Sequence, residues 1–145
     1  MKWQTHLAGG ILAGALLGAN PAGMAVAGVS ALLPDIDTFN SKVGRASPLI
    51  SIPVSILFGH RGIFHSFLAT GLVFLAAKAA APGYAVYITL GYLSHLLLDV
   101  LTPQGVKLLW PLPHRFSIPL VQTGSVFEWM FFLLFAVFIG RRFLL

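Results

Sequence analysis

Asp35, Asp37, Asp99 and Glu128 are the only four carboxylates in this 145-residue chain, and the three aspartates lie close to histidines or to one another. Asp35 and Asp37 close an apolar run that ends Ser30-Ala-Leu-Leu-Pro34, while Asp99 follows His95 by four residues in Gly91-Tyr-Leu-Ser-His-Leu-Leu-Leu-Asp99. On a helix, that spacing places imidazole and carboxylate on one face, about one turn apart, as a two-ligand helical metal site requires. The competing reading is a buried His–Asp hydrogen bond without metal. Ionisable groups inside apolar runs persist mainly when paired, solvated or ligated, and the nearby histidines tip the balance towards metal.

His60-Arg-Gly-Ile-Phe-His65-Ser66 adds two histidines five residues apart around a glycine. A turn there can splay both rings as ligands and leave Arg61 free for an anionic group such as phosphate. Interfacial histidines with a snorkelling arginine are the plainer alternative. Two carboxylates in the non-helical turn Asp35-Ile-Asp37 can face one cation or bridge two; otherwise they are a solvated loop with Asp37 as a cap. Ser125-Val-Phe-Glu128 has the spacing of a capping box, which competes evenly with Glu128 as a ligand or general base. His114, in Pro-Leu-Pro-His-Arg-Phe with no acid nearby, reads as a surface residue, and Trp110, Phe116 and Trp129 as interface anchors.

The chain has no cysteine, so any metal is held by nitrogen and oxygen. That chemistry favours zinc, with manganese, iron or magnesium as alternatives, as one ion or two. Hydrophobic residues make up 57% and charged residues 9%, which points to an integral membrane protein of one domain, residues 1–145. The net charge of +5 is scattered without a basic stripe, so no nucleic-acid partner is expected and membrane lipid is. No cleavable leader is expected, since the N-terminus carries one lysine and only a weak positive region.

Six apolar segments must position these groups, and all are expected to be helical because lipid tolerates no unsatisfied backbone. They are Leu7–Gly18, Ala22–Leu33, Pro48–Gly59, Ile63–Ala80, Tyr84–Leu101 and Val126–Gly140. The expected fold is an all-α integral membrane bundle of five to six helices. A single helix from Leu7 to Leu33 would be ~40 Å long and would part His6 from Asp35. Broken at Asn20-Pro21, the same residues form a short hairpin of two ~18 Å arms that brings His6 and Asp35 to one end. The Ala81-Pro-Gly83 turn returns His95 and Asp99 to that end as well.

These pieces together resemble the YdjM-like family of inner-membrane metal-dependent hydrolases. The matching elements are Thr5-His-Leu-Ala-Gly-Gly10, Leu33-Pro-Asp-Ile-Asp37, His60-Arg-Gly-Ile-Phe-His-Ser66, Gly91 through Gly105, Leu109-Trp-Pro111 and Thr123-Gly-Ser-Val-Phe-Glu128. The resemblance implies a helical membrane protein whose polar site is His6, Asp35, Asp37, His60, His65, His95, Asp99 and Glu128. Phe64 departs from the family pattern, which has a small polar residue beside His65. The His95–Asp99 element also looks like that of the zinc-dependent phospholipases C.

The function expected from the sequence is therefore a membrane-bound, metal-dependent hydrolase acting on a phosphoester or other ester of a lipid-borne substrate through metal-activated water. His6, Asp35, Asp37, His60, His65, His95 and Asp99 are the expected metal ligands. Asp37 or Glu128 would be the general base, and Arg61 would steady the departing anion. The alternative is a non-catalytic metal-binding membrane protein, either a scaffold or a transporter. Against a transporter, the polar groups gather at one end rather than across the bilayer depth.

Overall fold

A computed structural model describes residues 1–38, 41–58 and 61–144; His60 lies outside the described residues. Among them the chain forms seven α-helices joined by short 3-10 turns, and the sole strand-like feature is a bridge between Val106 and Phe116. The expected all-helical architecture holds, with one more helix than expected.

The chain does fold back at Asn20-Pro21. Helix α1 (Trp3–Leu16) runs into Gly18 at φ 72°, and α2 (Pro21–Ser30) starts under an Asn20 cap whose Oδ1 accepts from Gly23 N at 2.8 Å. Proline at the first helical position loses no intrahelical bond there, so one dipeptide both stops the return and starts the next helix. A 3-10 turn, Leu33–Asp37, then leads to the short α3 (Lys42–Ala46) and to α4 (Pro48–Phe58), which carries Pro53 inside it.

One boundary differs from expectation. The segment beginning at Ile63 is not continuous: Ile63–His65 is a 3-10 turn, and α5 is Phe67–Ala80. Ser66 sits in extended backbone and caps α5, accepting from Ala69 N at 3.2 Å, so its cap chemistry overrides the apolar pattern. Helix α6 (Ala85–Val100) returns after the Pro82–Tyr84 turn, and α7 (Val126–Leu144) ends the chain.

Helices α1, α2 and α6 pack on one another, with α7 against α1 and α5 against α6. Two glycines allow that closeness. A Cβ on Gly10 or on Gly91 would run into the backbone of Ala27, so three helices meet where only hydrogen can fit. Four residues along each helix from that contact lie His6, Ala31 and His95. The glycine contact thus sets the spacing of the site one turn away.

Residues 101–125 fold across the same end: Ile118 N and Val121 N donate to Val100 O and Leu101 O, and Val106 and Val121 are buried. No helix among the described residues is long and apolar enough to cross a membrane. The 16 residues of α6 reach only ~24 Å against a hydrocarbon core of ~30 Å, and α7 carries Glu128, Arg141 and Arg142.

Candidate metal centre

Four elements deliver the polar side chains to one buried cluster. Helix α1 supplies His6, the turn after α2 supplies Asp35 and Asp37, the turn before α5 supplies His65, and α6 supplies His95 and Asp99. His6, Asp37, His65, His95 and Asp99 are all at most 1% exposed. His6 stacks on His95 with ring centroids 3.7 Å apart and planes 13° from parallel. Both the hairpin and the return of α6 are needed for that contact.

Hydrogen bonds define which ring nitrogens hold protons. His95 Nδ1 lies 2.7 Å from the Ala31 carbonyl oxygen, which can only accept. His65 Nδ1 lies 3.0 Å from Asp37 Oδ2, again an acceptor. Burial lowers the His65 pKa, against the raising effect of the Asp37 hydrogen bond, so the ring is neutral at pH 7. A neutral imidazole has one donor and one acceptor nitrogen. With Nδ1 donating, the Nε2 of a neutral ring carries a lone pair, and the Nε2 atoms of His65 and His95 face each other at 3.2 Å.

Two lone pairs at that distance repel; a cation between them removes the conflict. Two nitrogens on one tetrahedral zinc, each at ~2.05 Å, lie ~3.3 Å apart. The donor set therefore fits a divalent ion. Asp99 Oδ2 lies 3.7 Å from both Nε2 atoms, and Asp35 Oδ1 lies 3.9 Å from that of His95. The ligand atoms of Asp35, His65 and His95 fall within 4.8 Å of one another, as do those of His6, His95 and Asp99. His6 Nδ1 is buried without a hydrogen-bond partner among the described residues. His95 belongs to both triads, and its Nδ1 is taken by Ala31, so its one remaining lone pair serves one ion.

Arg61 stands at φ 57°, an uncommon backbone for a side chain of its size, held by donation from its N to Asp37 Oδ2 at 3.1 Å. Its Nη2 is 2.9 Å from Asp99 Oδ2, and its Nη1 donates to Thr102 Oγ1 at 3.3 Å and Gly105 O at 3.2 Å. Asp99 Oδ1 takes the Met1 nitrogen at 2.7 Å and lies 3.4 Å from His6 Nε2. Asp99 is thus a junction, surrounded by cationic and imidazole groups that hold it ionised.

The two carboxylates expected as bases, Asp37 and Glu128, and the expected ligand Asp35 occupy different settings. Asp37 accepts from His65, from Arg61 N and from Thr38 Oγ1, the geometry of a group that orients a ligand ring. Glu128 accepts from Lys2 N and Thr5 Oγ1 through Oε1 and from Gly124 N through Oε2, clasping the starts of α1 and α7 together. Its own N donates to Ser125 Oγ at 3.3 Å, so half of the expected capping box is present, while its carboxylate accepts from Gly124 N instead of Ser125 N. Asp35 is partly exposed and lines a cavity of about 680 Å³ beside the cluster. His114 is exposed, with its ring edge-on to Phe116.

The sequence did not single out Thr102 or Ala31 as site residues, nor Lys42 and Arg45 among those lining this cavity. Thr102 follows Asp99 by three and caps α6 through Asp99 O at 2.8 Å, a spacing that was open to notice. Ala31 acts through its carbonyl, which no side-chain pattern announces.

The profile of the YdjM inner membrane protein family matches residues 1–144. The uncharacterised protein YvsG of Bacillus subtilis is 40% identical over 136 residues, covering 88% of this chain and 85% of its own. The inner membrane protein YdjM of Escherichia coli is 41% identical over 109 residues, 69% of this chain, and the chain spans 56% of that relative's length. The YdjM protein of Shigella flexneri matches to the same extent. No solved structure matches.

Proposed function

We propose that this chain, which belongs to the YdjM inner membrane protein family, is a metal-dependent hydrolase acting on a phosphoester or another ester carried by a lipid. The observation that carries the reading is the pair of facing imidazole nitrogens of His65 and His95, each committed to accept by a donor bond on its other side. A bound divalent ion, zinc best matching this nitrogen and oxygen set, would polarise a substrate oxygen and lower the pKa of water towards ~7.

The chain's own groups have separable tasks. His65, His95, Asp99 and Asp35 would hold the ion, with His6 stacked behind His95. Asp37 and the Ala31 carbonyl keep both rings in the ligating tautomer. Asp35, reaching both cluster and cavity, would place the ion against a substrate held in the cavity. Arg61 offsets the charge of Asp99 and supports negative charge developing on the substrate.

Family membership makes this a membrane protein. We read it as a multi-pass one whose metal site faces the cytoplasm. Apolar side chains exposed on α5 and α7, among them Leu72, Leu75, Met130, Leu133, Val137 and Phe138, support a lipid-facing belt.

The test is metal analysis of the purified protein followed by assay on phospholipid and simple phosphoesters with and without chelator. Activity that chelation removes and zinc restores supports the reading; equal activity under both conditions overturns it. A second reading, a metal-stabilised scaffold without turnover, draws on the burial of a cluster whose members come from four elements. It predicts that metal raises thermal stability while no substrate is consumed.

A further inference from the structure

The cavity beside the cluster is basic where the cluster is acidic. Its volume, about 680 Å³, falls in the range of small-molecule sites. Lys2, Lys42, Arg45 and Arg61 line it, against the single carboxylate of Asp35. Arg61 is buried at the inner end, and the other three cations are exposed around the outer part. Lys42 is steadied by the face of Trp3, its Nζ 3.7 Å from the ring centroid, and Arg45 lies one helical turn further along α3.

Two buried polar atoms on lining residues lack partners among the described residues: Arg61 Nε, a donor, and Gln4 Oε1. Arg61 directs Nη1 to Thr102 and Gly105 and Nη2 to Asp99, which leaves Nε as the guanidinium nitrogen still to be matched. A buried donor without an acceptor is costly, which makes it an indicator of what the site is built to receive. The Gln4 amide can present either its oxygen or its nitrogen by rotation, and it stands ready for a polar group in the same space.

We propose that this cavity binds a phosphate group, with Arg61 at its inner end and Lys42 and Arg45 at its mouth. Lysines serve such a group as point charges, and arginine adds directional donors. Asp35 and Arg61 belong to both the cavity and the cluster, so a phosphate held there lies against the candidate metal centre. The proposal deepens the hydrolase reading and rests on it for the identity of the reacting group. Both a phospholipid headgroup and free phosphate supply this chemistry.

The experiment uses the full chain as purified in detergent and measures binding of three probes by calorimetry. They are inorganic phosphate, the non-hydrolysable phosphonate analogue of a short-chain phosphatidic acid, and an uncharged short-chain diacylglycerol. The variant is Lys42→Gln combined with Arg45→Gln, both positions exposed and outside the metal cluster. The proposal expects phosphate-type probes to bind, the diacylglycerol not to, and the double variant to bind them about tenfold more weakly with unchanged metal content. A phosphonate lipid that binds much more tightly than inorganic phosphate identifies a headgroup; equal affinities identify free phosphate.

Equal binding of the diacylglycerol, no binding of either anion, or full affinity in the double variant overturns the proposal. Anion binding that disappears with the metal but ignores the double substitution overturns the cavity assignment while leaving the hydrolase reading standing. Protein that takes up no metal on equilibration with zinc yet binds phosphate through Lys42 and Arg45 does the reverse.

Discussion

His65 and His95 present their Nε2 atoms to each other at 3.2 Å, and each has its Nδ1 committed to an acceptor, Asp37 for one and the Ala31 carbonyl for the other. Neither nitrogen of the facing pair can donate while both rings are neutral. The spacing matches that of two nitrogens on one divalent ion, and the consequences of the proposed metal site can be measured.

On the proposed metal reading, removing a ligand should remove the ion. His95→Ala and Asp99→Asn are expected to lower metal affinity about a hundredfold or more, beyond the loss typical of an outer-shell partner. His114→Ala, at an exposed loop position, is expected to leave metal content unchanged. Metal analysis after equilibration in a buffered zinc solution decides it. Retained metal in the first two variants with loss in the third would reject the assignment.

Asp37 acts through His65, so its loss should be graded. Asp37→Asn is expected to weaken metal binding by about 10–100-fold while His65→Ala costs more. Circular dichroism confirms that helix content survives. A D37N affinity equal to that of wild type would show that Asp37 does not orient the ring; one equal to H65A would make Asp37 a ligand in its own right.

The glycine contact beneath the site offers a stability test with a built-in control. Gly91→Ala drives a methyl group into the Ala27 backbone and should destabilise the fold by about 1–3 kcal/mol, with weaker metal binding because His95 lies one turn further on. Gly71→Ala on α5 meets nothing within 4 Å and should stabilise by up to about 1 kcal/mol through helix propensity. Denaturant melts of both variants check the pair, and a tolerant Gly91 would mean that the three helices do not meet as described.

These contacts also separate what local chemistry announces from what only packing reveals. The Asn20-Pro21 break was legible because a cap and a first-turn proline act within a few residues of chain. His95 and Asp99 were legible because helical periodicity is fixed, and the gathering of His6, Asp35 and His65 followed from turn positions. The break at Ser66 was hidden behind an apolar run, since a side-chain cap outweighs hydropathy. Ala31's role was out of reach because any residue has a carbonyl. The basic cavity was less legible: Lys2, the Lys42/Arg45 pair and Arg61 come from three separate stretches of sequence and become one lining through folding.

Glu128 distinguishes a structural clasp from a base. Its carboxylate takes Lys2 N, Thr5 Oγ1 and Gly124 N, and glutamine would turn an amide N–H towards one of those donors. Glu128→Gln is expected to lower stability by about 1–3 kcal/mol with metal content intact. Thermal melts and metal analysis read this directly. Unchanged stability with activity lost would assign Glu128 to catalysis.

Orientation is set by where the basic residues fall once the bundle is assembled. Lys2, Lys42 and Arg45 line the cavity, and Lys107 and Arg115 lie in the stretch folded across the same end. Lys78 ends α5, and Arg141 and Arg142 end α7, whose Glu128 end is held at the site. Arg61 is buried at the site and carries no weight as a loop charge. Short segments richer in lysine and arginine stay cytoplasmic, so the site end is expected inside and the end of α7 outside. The adjacent Arg141 and Arg142 oppose this, but they are outnumbered by charges spread over several site-end segments. A reporter fused after Leu145 reads the result. Phosphatase activity there supports a cytoplasmic site, whereas cytoplasmic fluorescence reverses the orientation and turns the metal centre outward.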